Sequence, residues 1–74
     1  MNERQRALIS LEKTKAFFEH NKLYMDQNIR EKALHYIKDA EYFFKKGDYF
    51  SSFGASDYAY GLIEGNINKK RKWA

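Results

Sequence analysis

The stretch EYFFKKGDYFSSFGASDYAYG, residues 41–61, contains eight aromatic residues and three glycines, and it marks the meeting point of two predicted helices. Lys45 and Lys46 suit the last turn of a helix, because the negative end of the helix dipole stabilises cations. Gly47 follows at the position where helices commonly end in a left-handed residue. Asp48 is a preferred N-cap residue for a new helix. A helix end followed at once by a helix start predicts a tight helical hairpin.

The segment upstream of this hairpin predicts an amphipathic helix from about residue 26 to residue 46, with Asp26 as its N-cap. Its apolar residues recur at steps of three and four and cover one sector, whereas the opposite sector is polar. The apolar sector contains Ile29, Ala33, Tyr36, Ile37, Ala40, Phe43 and Phe44. This segment therefore predicts a helix that buries one face and exposes the other.

A first helix is predicted from about residue 2 to residue 21 by the same periodicity. Its main stripe contains Arg4, Ala7, Leu8, Leu11, Thr14 and Phe18. Three further apolar residues, Ile9, Ala16 and Phe17, fall outside this stripe. The helix therefore carries more apolar surface than one core-facing stripe requires.

The third predicted helix, from about residue 49 to residue 66, is apolar on nearly all sides, which is typical of a buried helix. Its aliphatic face contains Ala55, Ala59, Leu62 and Ile63, and its second face contains Phe50, Phe53, Gly54, Tyr60 and Gly61, with Tyr58 between the two. We expect most of the rings to pack in the core, and the glycines to let another backbone or a ring approach closely. Residues 67–74 are predicted to form a frayed or loosely helical basic tail.

The length of 74 residues limits the chain to one domain, and a domain of this size buries too little surface to be more than marginally stable. The chain has no cysteine, so it forms no disulfide, and two histidines are too few for a convincing metal site. Oligomerisation is the remaining means of stabilising a small scaffold. The sequence therefore predicts an all-α, three-helix bundle built on a helical hairpin, with one domain over residues 1–66 and an oligomeric state.

The excess apolar surface of the first and third helices predicts where copies meet. One core cannot cover all of these faces, and monomers rarely expose large contiguous apolar patches. A homodimer with a two-fold axis is the simplest arrangement, and a different protein covering the patch is the alternative. The candidate interface residues are Ile9, Phe17, Phe50, Gly54, Tyr58 and Gly61.

The net charge of +4 is concentrated at residues 69–72, and the other cationic side chains are balanced by acidic ones. A nucleic-acid-associated role would therefore depend on the tail, where cations contact phosphates and a ring stacks on a base. The candidate nucleic-acid contacts are Lys69, Lys70, Arg71, Lys72 and Trp73. The alternative function of an accessory protein that binds nucleic acid stays open beside a non-enzymatic interaction module.

Catalytic motifs are missing from the sequence, which has no nucleophile triad pattern and no phosphate-binding loop. We therefore expect a protein that is not an enzyme and uses no cofactor. Asp57 is the carboxylate with the best prospect of burial, because Phe53 and Tyr60 flank it. The charged start MNERQRALISLEK lacks the apolar core of a signal peptide, and no apolar run is long enough to span a membrane. Together with the absence of cysteine, this predicts a cytoplasmic protein with no membrane partner.

A combination of short motifs over residues 36–65 is more specific than any one of them. The positions are Tyr36, Asp39, Ala40, Tyr42, Phe43, Lys46, Gly47, Asp48, Tyr49, Phe53, Tyr58, Ala59, Gly61 and Leu62. On these residues the chain resembles the archaeal domain-of-unknown-function family 357. The resemblance implies a short helical protein of the archaeal cytoplasm. It supplies no activity and no catalytic residues.

Two positions depart from the family pattern. Ser52 stands where the family usually has alanine, so we expect slightly looser packing there. The sequence IEG at 63–65 replaces LDA, although Glu64 keeps the acidic charge.

Overall fold

The computed structural model describes residues 1–71, which form three helices: α1 (Glu3–Asn21), α2 (Gln27–Lys45) and α3 (Tyr49–Arg71). No strand occurs within this range. The α2–α3 pair forms the most extensive helix–helix contact and is antiparallel, whereas α1 lies parallel to α3. The predicted all-α, three-helix architecture is confirmed.

The hairpin between α2 and α3 has the predicted chemistry. Gly47 adopts a φ of 81°, a left-handed conformation that glycine takes without steric cost. The amide of Gly47 donates to the carbonyl of Phe44 (3.0 Å) and that of Asp48 to the carbonyl of Phe43 (2.9 Å), which closes the end of α2. The Asp48 carboxylate then accepts from the amide of Ser51 at 3.1 Å. One residue therefore completes the cap of α2 and caps the start of α3.

Asp26 occupies the predicted N-cap position of α2, with φ −63° and ψ 146°, but its side chain makes no capping bond. The carboxylate instead accepts hydrogen bonds from Lys70 Nζ at 2.8 Å and Asn66 Nδ2 at 3.0 Å. The side-chain oxygen of Asn66 in turn accepts from the Asp26 amide at 2.9 Å. The predicted position is right and its mechanism is wrong, because partners on α3 compete for the carboxylate.

The core consists mainly of small and aliphatic side chains, and Phe18 is the only buried ring in the part of the chain that the structure describes. Its buried hydrophobic residues are Ala7, Leu11, Phe18, Met25, Ala33, Ile37, Ala40, Ala59, Ile63 and Ile67. None of the eight aromatic residues between 41 and 61 is fully buried, and four of them are exposed. The expectation that most of these rings pack in the core is therefore wrong. The helices approach closely enough for alanine and serine to fill the space between them.

Buried hydroxyl groups form a hydrogen-bonded seam along α3. The Ser10 and Ser56 hydroxyls lie 2.6 Å apart, and Thr14 Oγ1 donates to the carbonyl of Ser56 at 3.2 Å. On the other side, Ser52 Oγ donates to the carbonyl of Ala40 at 2.7 Å. A buried hydroxyl costs free energy unless it is bonded, and these are bonded. Ser52 is fully buried, so the looser packing expected there is not found.

The third helix continues five residues beyond the predicted end at residue 66, as far as Arg71. Asn66 and Ile67 are buried, and Lys70 Nζ donates to the carbonyl of Tyr24 at 2.6 Å. Of the two predicted forms of the tail, the helical one is found for residues 67–71 and the frayed one is not, because α3 packs against the α1–α2 turn. The predictions that concern the Arg71 side chain, Lys72 and Trp73 lie outside the described residues.

The glycines of α3 do not mediate close helix packing within the chain. Gly54 and Gly61 are exposed, and a Cβ added to either would have no neighbouring atom within 4 Å. The expected close approach of a backbone or ring is therefore wrong inside the bundle, since both glycines face away from α1 and α2.

Candidate protein-interaction surface

The parallel helices α1 and α3 share an outer side that displays large apolar side chains. Ile9 is 53% exposed, Phe50 84% and Phe53 42%, and Met1 is exposed beside them. Side chains at steps of three and four share one side of a helix, which is why residues 50 and 53 project together. We call this surface the α1–α3 face and define it by Met1, Glu3, Arg6, Ile9, Lys13, Phe50, Phe53 and Asp57.

Two shallow hollows make this face continuous. The first lies between the start of α1 and the start of α3 and is lined by Glu3, Arg6, Tyr49, Phe50 and Phe53. The second lies one to two turns further along and is lined by Met1, Arg6, Ile9, Ser10, Lys13, Phe53 and Asp57. Arg6 and Phe53 belong to both hollows. The apolar residues are therefore neighbours on one surface rather than scattered.

The charges on the α1–α3 face are balanced. Glu3 and Asp57 are acidic, Arg6 and Lys13 are basic, and all four side chains are exposed. Lys13 Nζ also lies 4.5 Å from the ring centroid of Tyr60, a distance at which a cation is attracted to a ring. A surface that carries both signs of charge fits a partner surface that also carries both signs better than it fits a partner of one strong charge.

A third hollow continues along the same side toward the end of α1. It is lined by Lys13, Ala16, Phe17, His20, Asn21 and Tyr60. Phe17 is half-buried and stacks on Tyr60, with ring centroids 4.4 Å apart. The Phe17 and Tyr60 rings therefore cover part of one another here, whereas the Phe50 ring is 84% exposed.

The structure brings together only some of the predicted interface residues. Ile9 and Phe50 lie on the α1–α3 face, and Phe17 lies at its far end. Tyr58 lies elsewhere, since its ring packs edge-on against Tyr36 of α2 with centroids 4.6 Å apart. Gly54 and Gly61 are on the open side of α3.

Sequence reasoning missed the contributions of Met1, Arg6, Lys13 and Phe53 to this face. The spacing of residues 6, 9 and 13 and of residues 50, 53 and 57 would have grouped them on two helix sides. Only the parallel packing of α1 beside α3 brings those two sides together.

The end of the molecule opposite Phe50 contains the other predicted site. Lys69 is exposed there, whereas Lys70 is held by Asp26 and by the carbonyl of Tyr24. The hydrogen bond from Lys70, and after it that from Asn66, holds the pKa of Asp26 below its ordinary value. The lysines at this end are therefore partly engaged in holding the fold together.

Chemical sites of other kinds are not apparent in the described part of the chain. Asp57 is exposed rather than buried as predicted, and Glu64 is exposed as well. Within residues 1–71, no group of three or more His, Cys, Asp or Glu side chains is placed to hold a metal ion. Over the same residues, no helix combines the length and the apolar character needed to cross a membrane.

Comparisons with known proteins place the chain in one family. Neither the curated proteins nor the solved structures include a match to it. A family model described as a protein of unknown function, DUF357, matches residues 4–67. That range contains all of α1 except its first residue, all of α2 and most of α3, and it extends well beyond the motifs at 36–65. The chain therefore belongs to the DUF357 family.

Proposed function

We propose that this protein is a non-enzymatic module that associates with a second copy of itself through the α1–α3 face. The observation that carries the proposal is the cluster of exposed apolar side chains at Ile9, Phe50 and Phe53, which adjoin across two shared hollows. Removing such side chains from water is favourable by about 25 cal/mol per Å² of apolar surface. Rings in such patches are frequent anchors of protein interfaces.

A second copy is the occupant that the charges favour. The face carries two acidic and two basic side chains, so its side-chain charges cancel and can pair with those of a second copy. An isologous contact requires this property, because the same patch serves both subunits. A chain of this length without cysteine also gains the most from association, which adds buried surface that one copy lacks.

Light scattering on a size-exclusion column tests this proposal. We expect the unmodified chain to elute as a dimer at high micromolar concentration, and Phe50→Asp to elute as a monomer with unchanged helicity. Phe50 is the best probe because its exposed ring contributes little to the core. Tyr42→Asp is the matched control, since it places the same charge on an exposed ring of α2. A monomeric unmodified chain would contradict the proposal, and so would a dimer that survives Phe50→Asp.

The proposal also includes a cellular location, and it has to be weighed against the alternative role in binding nucleic acid. We propose a cytoplasmic location in an archaeal cell, on the basis of the cysteine-free composition and the resemblance at the hairpin. The nucleic-acid-associated alternative receives less support, because Lys70 is paired with Asp26 and is therefore less available for a phosphate.

A further inference from the structure

The turn between α1 and α2 holds two consecutive apolar side chains out in solvent. Leu23 is 86% exposed and Tyr24 is 69% exposed, although the next residue, Met25, is buried in the core. No other large hydrophobic side chain in residues 1–71 is as exposed as Leu23. Apolar side chains at such a tip are available for a partner and add nothing to the core.

The backbone of this turn is fixed on both sides. Arg30 Nη1 of α2 donates to the carbonyl of Lys22 at 2.9 Å. Lys70 Nζ of α3 donates to the carbonyl of Tyr24 at 2.6 Å. Both donors are cationic, and hydrogen bonds to charged groups are stronger than those between neutral groups. The exposure of Leu23 is therefore a fixed feature of the fold, and binding through it would require little further ordering.

Basic side chains surround this tip. We define the basic pole as Lys22, Leu23, Tyr24, Lys69 and Lys70. Its neighbouring carboxylates are each paired with a lysine: Glu19 with Lys22, and Asp26 with Lys70, both at 2.8 Å. Lys69 adds positive charge beyond these two pairs, and its charge also contributes to lowering the pKa of Asp26. The pole is therefore apolar at its tip, and its three lysines and two paired carboxylates together leave a net charge of +1.

Contrary to the expectation from the sequence that the protein has no membrane partner, we propose that the basic pole binds reversibly to the surface of an anionic lipid bilayer. Leu23 and Tyr24 would enter the boundary between headgroups and acyl chains, which accepts aliphatic and amphipathic aromatic side chains. Lys22 and Lys69 would lie over the negative headgroups with their aliphatic stems along the surface. Single-stranded nucleic acid uses only part of this tip, because a base can stack on the Tyr24 ring but not on the aliphatic side chain of Leu23, which is the more exposed of the two.

Vesicle flotation tests this proposal with two lipid mixtures. One contains equal parts of phosphatidylglycerol and phosphatidylcholine, and the other contains phosphatidylcholine alone. We expect the full chain to bind the anionic vesicles only, and the bound fraction to fall as salt is added, because salt screens the attraction between exposed charges. Leu23→Gln should reduce the partition coefficient about fivefold by removing apolar surface. Lys69→Gln should reduce it by a similar factor by removing one charge.

Matched variants separate this site from other surfaces. Leu34→Gln makes the same change on α2 and should leave binding unchanged, and so should Tyr42→Gln, which removes an exposed ring at the far end of α2. Circular dichroism checks that each variant is folded. Failure to bind anionic vesicles, or binding that Leu23→Gln leaves intact, would overturn the proposal. Binding of a labelled single-stranded RNA that depends on Lys69 but not on Leu23 would overturn it in favour of nucleic acid.

Discussion

Gly47 and Gly61 show at the scale of single residues how backbone conformation decides the effect of one substitution. Gly47 has a φ of 81°, which costs about 1–2 kcal/mol for a residue with a side chain. Gly61 lies inside α3 with open space around it, and alanine is favoured over glycine there by about 1 kcal/mol. We expect Gly47→Ala to lower the free energy of unfolding and Gly61→Ala to raise it.

Urea denaturation of both variants measures this difference. Each change is also made in the Phe50→Asp variant, which we expect to be a monomer. The free energy of unfolding measured there reports the stability of one bundle without a contribution from self-association. A Gly61→Ala variant that is less stable than its parent in that background would show that the helix packs closely at this position after all.

Two carboxyl groups make stability depend on pH. Hydrogen bonds from Lys70 and then Asn66 lower the pKa of Asp26, and those from Ser51 lower the pKa of Asp48, each from an ordinary value of 3.8. The unfolded chain therefore takes up protons at a higher pH than the folded chain. The stabilising contribution is complete above about pH 5 and is lost as the pH falls below about 4.

Melting temperatures measured from neutral to acidic pH test this expectation. They should be level down to about pH 5 and then fall, and Asp26→Asn should flatten part of the fall. Glu12→Gln, an exposed position on α1, is the matched control. A fall at acidic pH that is as steep in Asp26→Asn as in the parent would assign the effect to other groups.

At the scale of elements, the last turns of α3 are part of the packed structure. Ile67 is 6% exposed and belongs to the core, whereas its neighbour Asn68 is exposed. Truncating a buried isoleucine to alanine removes apolar burial and leaves a cavity, which typically costs 2–5 kcal/mol. We expect Ile67→Ala to lower the free energy of unfolding by about 2 kcal/mol, and Asn68→Ala to change it by less than about 0.5 kcal/mol. Denaturant titration of the two variants decides this, because equal effects would mean a frayed end.

The helices could be predicted to different degrees, for a physical reason. The α2 stripe and the junction at Gly47 and Asp48 are local patterns that the structure confirms. It confirms most of the α1 stripe as well, although Arg4 is exposed and Ser10 is buried. The end of α3 is set by partners about 40 residues away, since Asn66 and Lys70 bond to Asp26. Those bonds have no local signature, because residues 68–72 are all polar and show no apolar period.

The candidate surface could be predicted in part. The surplus of apolar faces correctly indicated Ile9 and Phe50 as exposed, because one core cannot cover every face of α3. Tyr58 is exposed as well, but its ring lies beside Tyr36 of α2 and not on the α1–α3 face. Which face of α3 stays open depends on where α1 docks, and the sequence pattern of α3 alone does not contain that information.

At the scale of the whole molecule, the order of charges on the α1–α3 face favours one arrangement of two copies. Because Ser10 contacts Ser56, Asp57 lies at a level between Arg6 and Lys13. The signs along the face are therefore negative at Glu3, positive at Arg6, negative at Asp57 and positive at Lys13. An antiparallel second copy presents these four side chains in the reverse order. Each charge then faces one of the opposite sign, with Arg6 opposite Asp57 and Glu3 opposite Lys13.

Charge reversal tests that arrangement. We expect Arg6→Glu and Asp57→Arg each to weaken the dimer, because like charges then face one another, and the double variant to restore it. Sedimentation equilibrium at low and high salt measures the effect, which screening should reduce. Rescue of Lys13→Glu by Asp57→Lys instead would indicate a parallel arrangement with the same face. A monomeric unmodified chain would be a separate result, since it would contradict self-association itself and not only this arrangement.

The shared junction of Gly47 and Asp48 has a kinetic consequence. The hairpin of α2 and α3 closes through contacts near in sequence, whereas Ser10 reaches Ser56 across 46 positions. Short loops lose less chain entropy on closing, so the hairpin should form in the folding transition state before α1 docks. Stopped-flow measurements should then show that Gly47→Ala mainly slows folding and that Ser10→Ala mainly speeds unfolding. The opposite pattern would mean that α1 joins the folding nucleus.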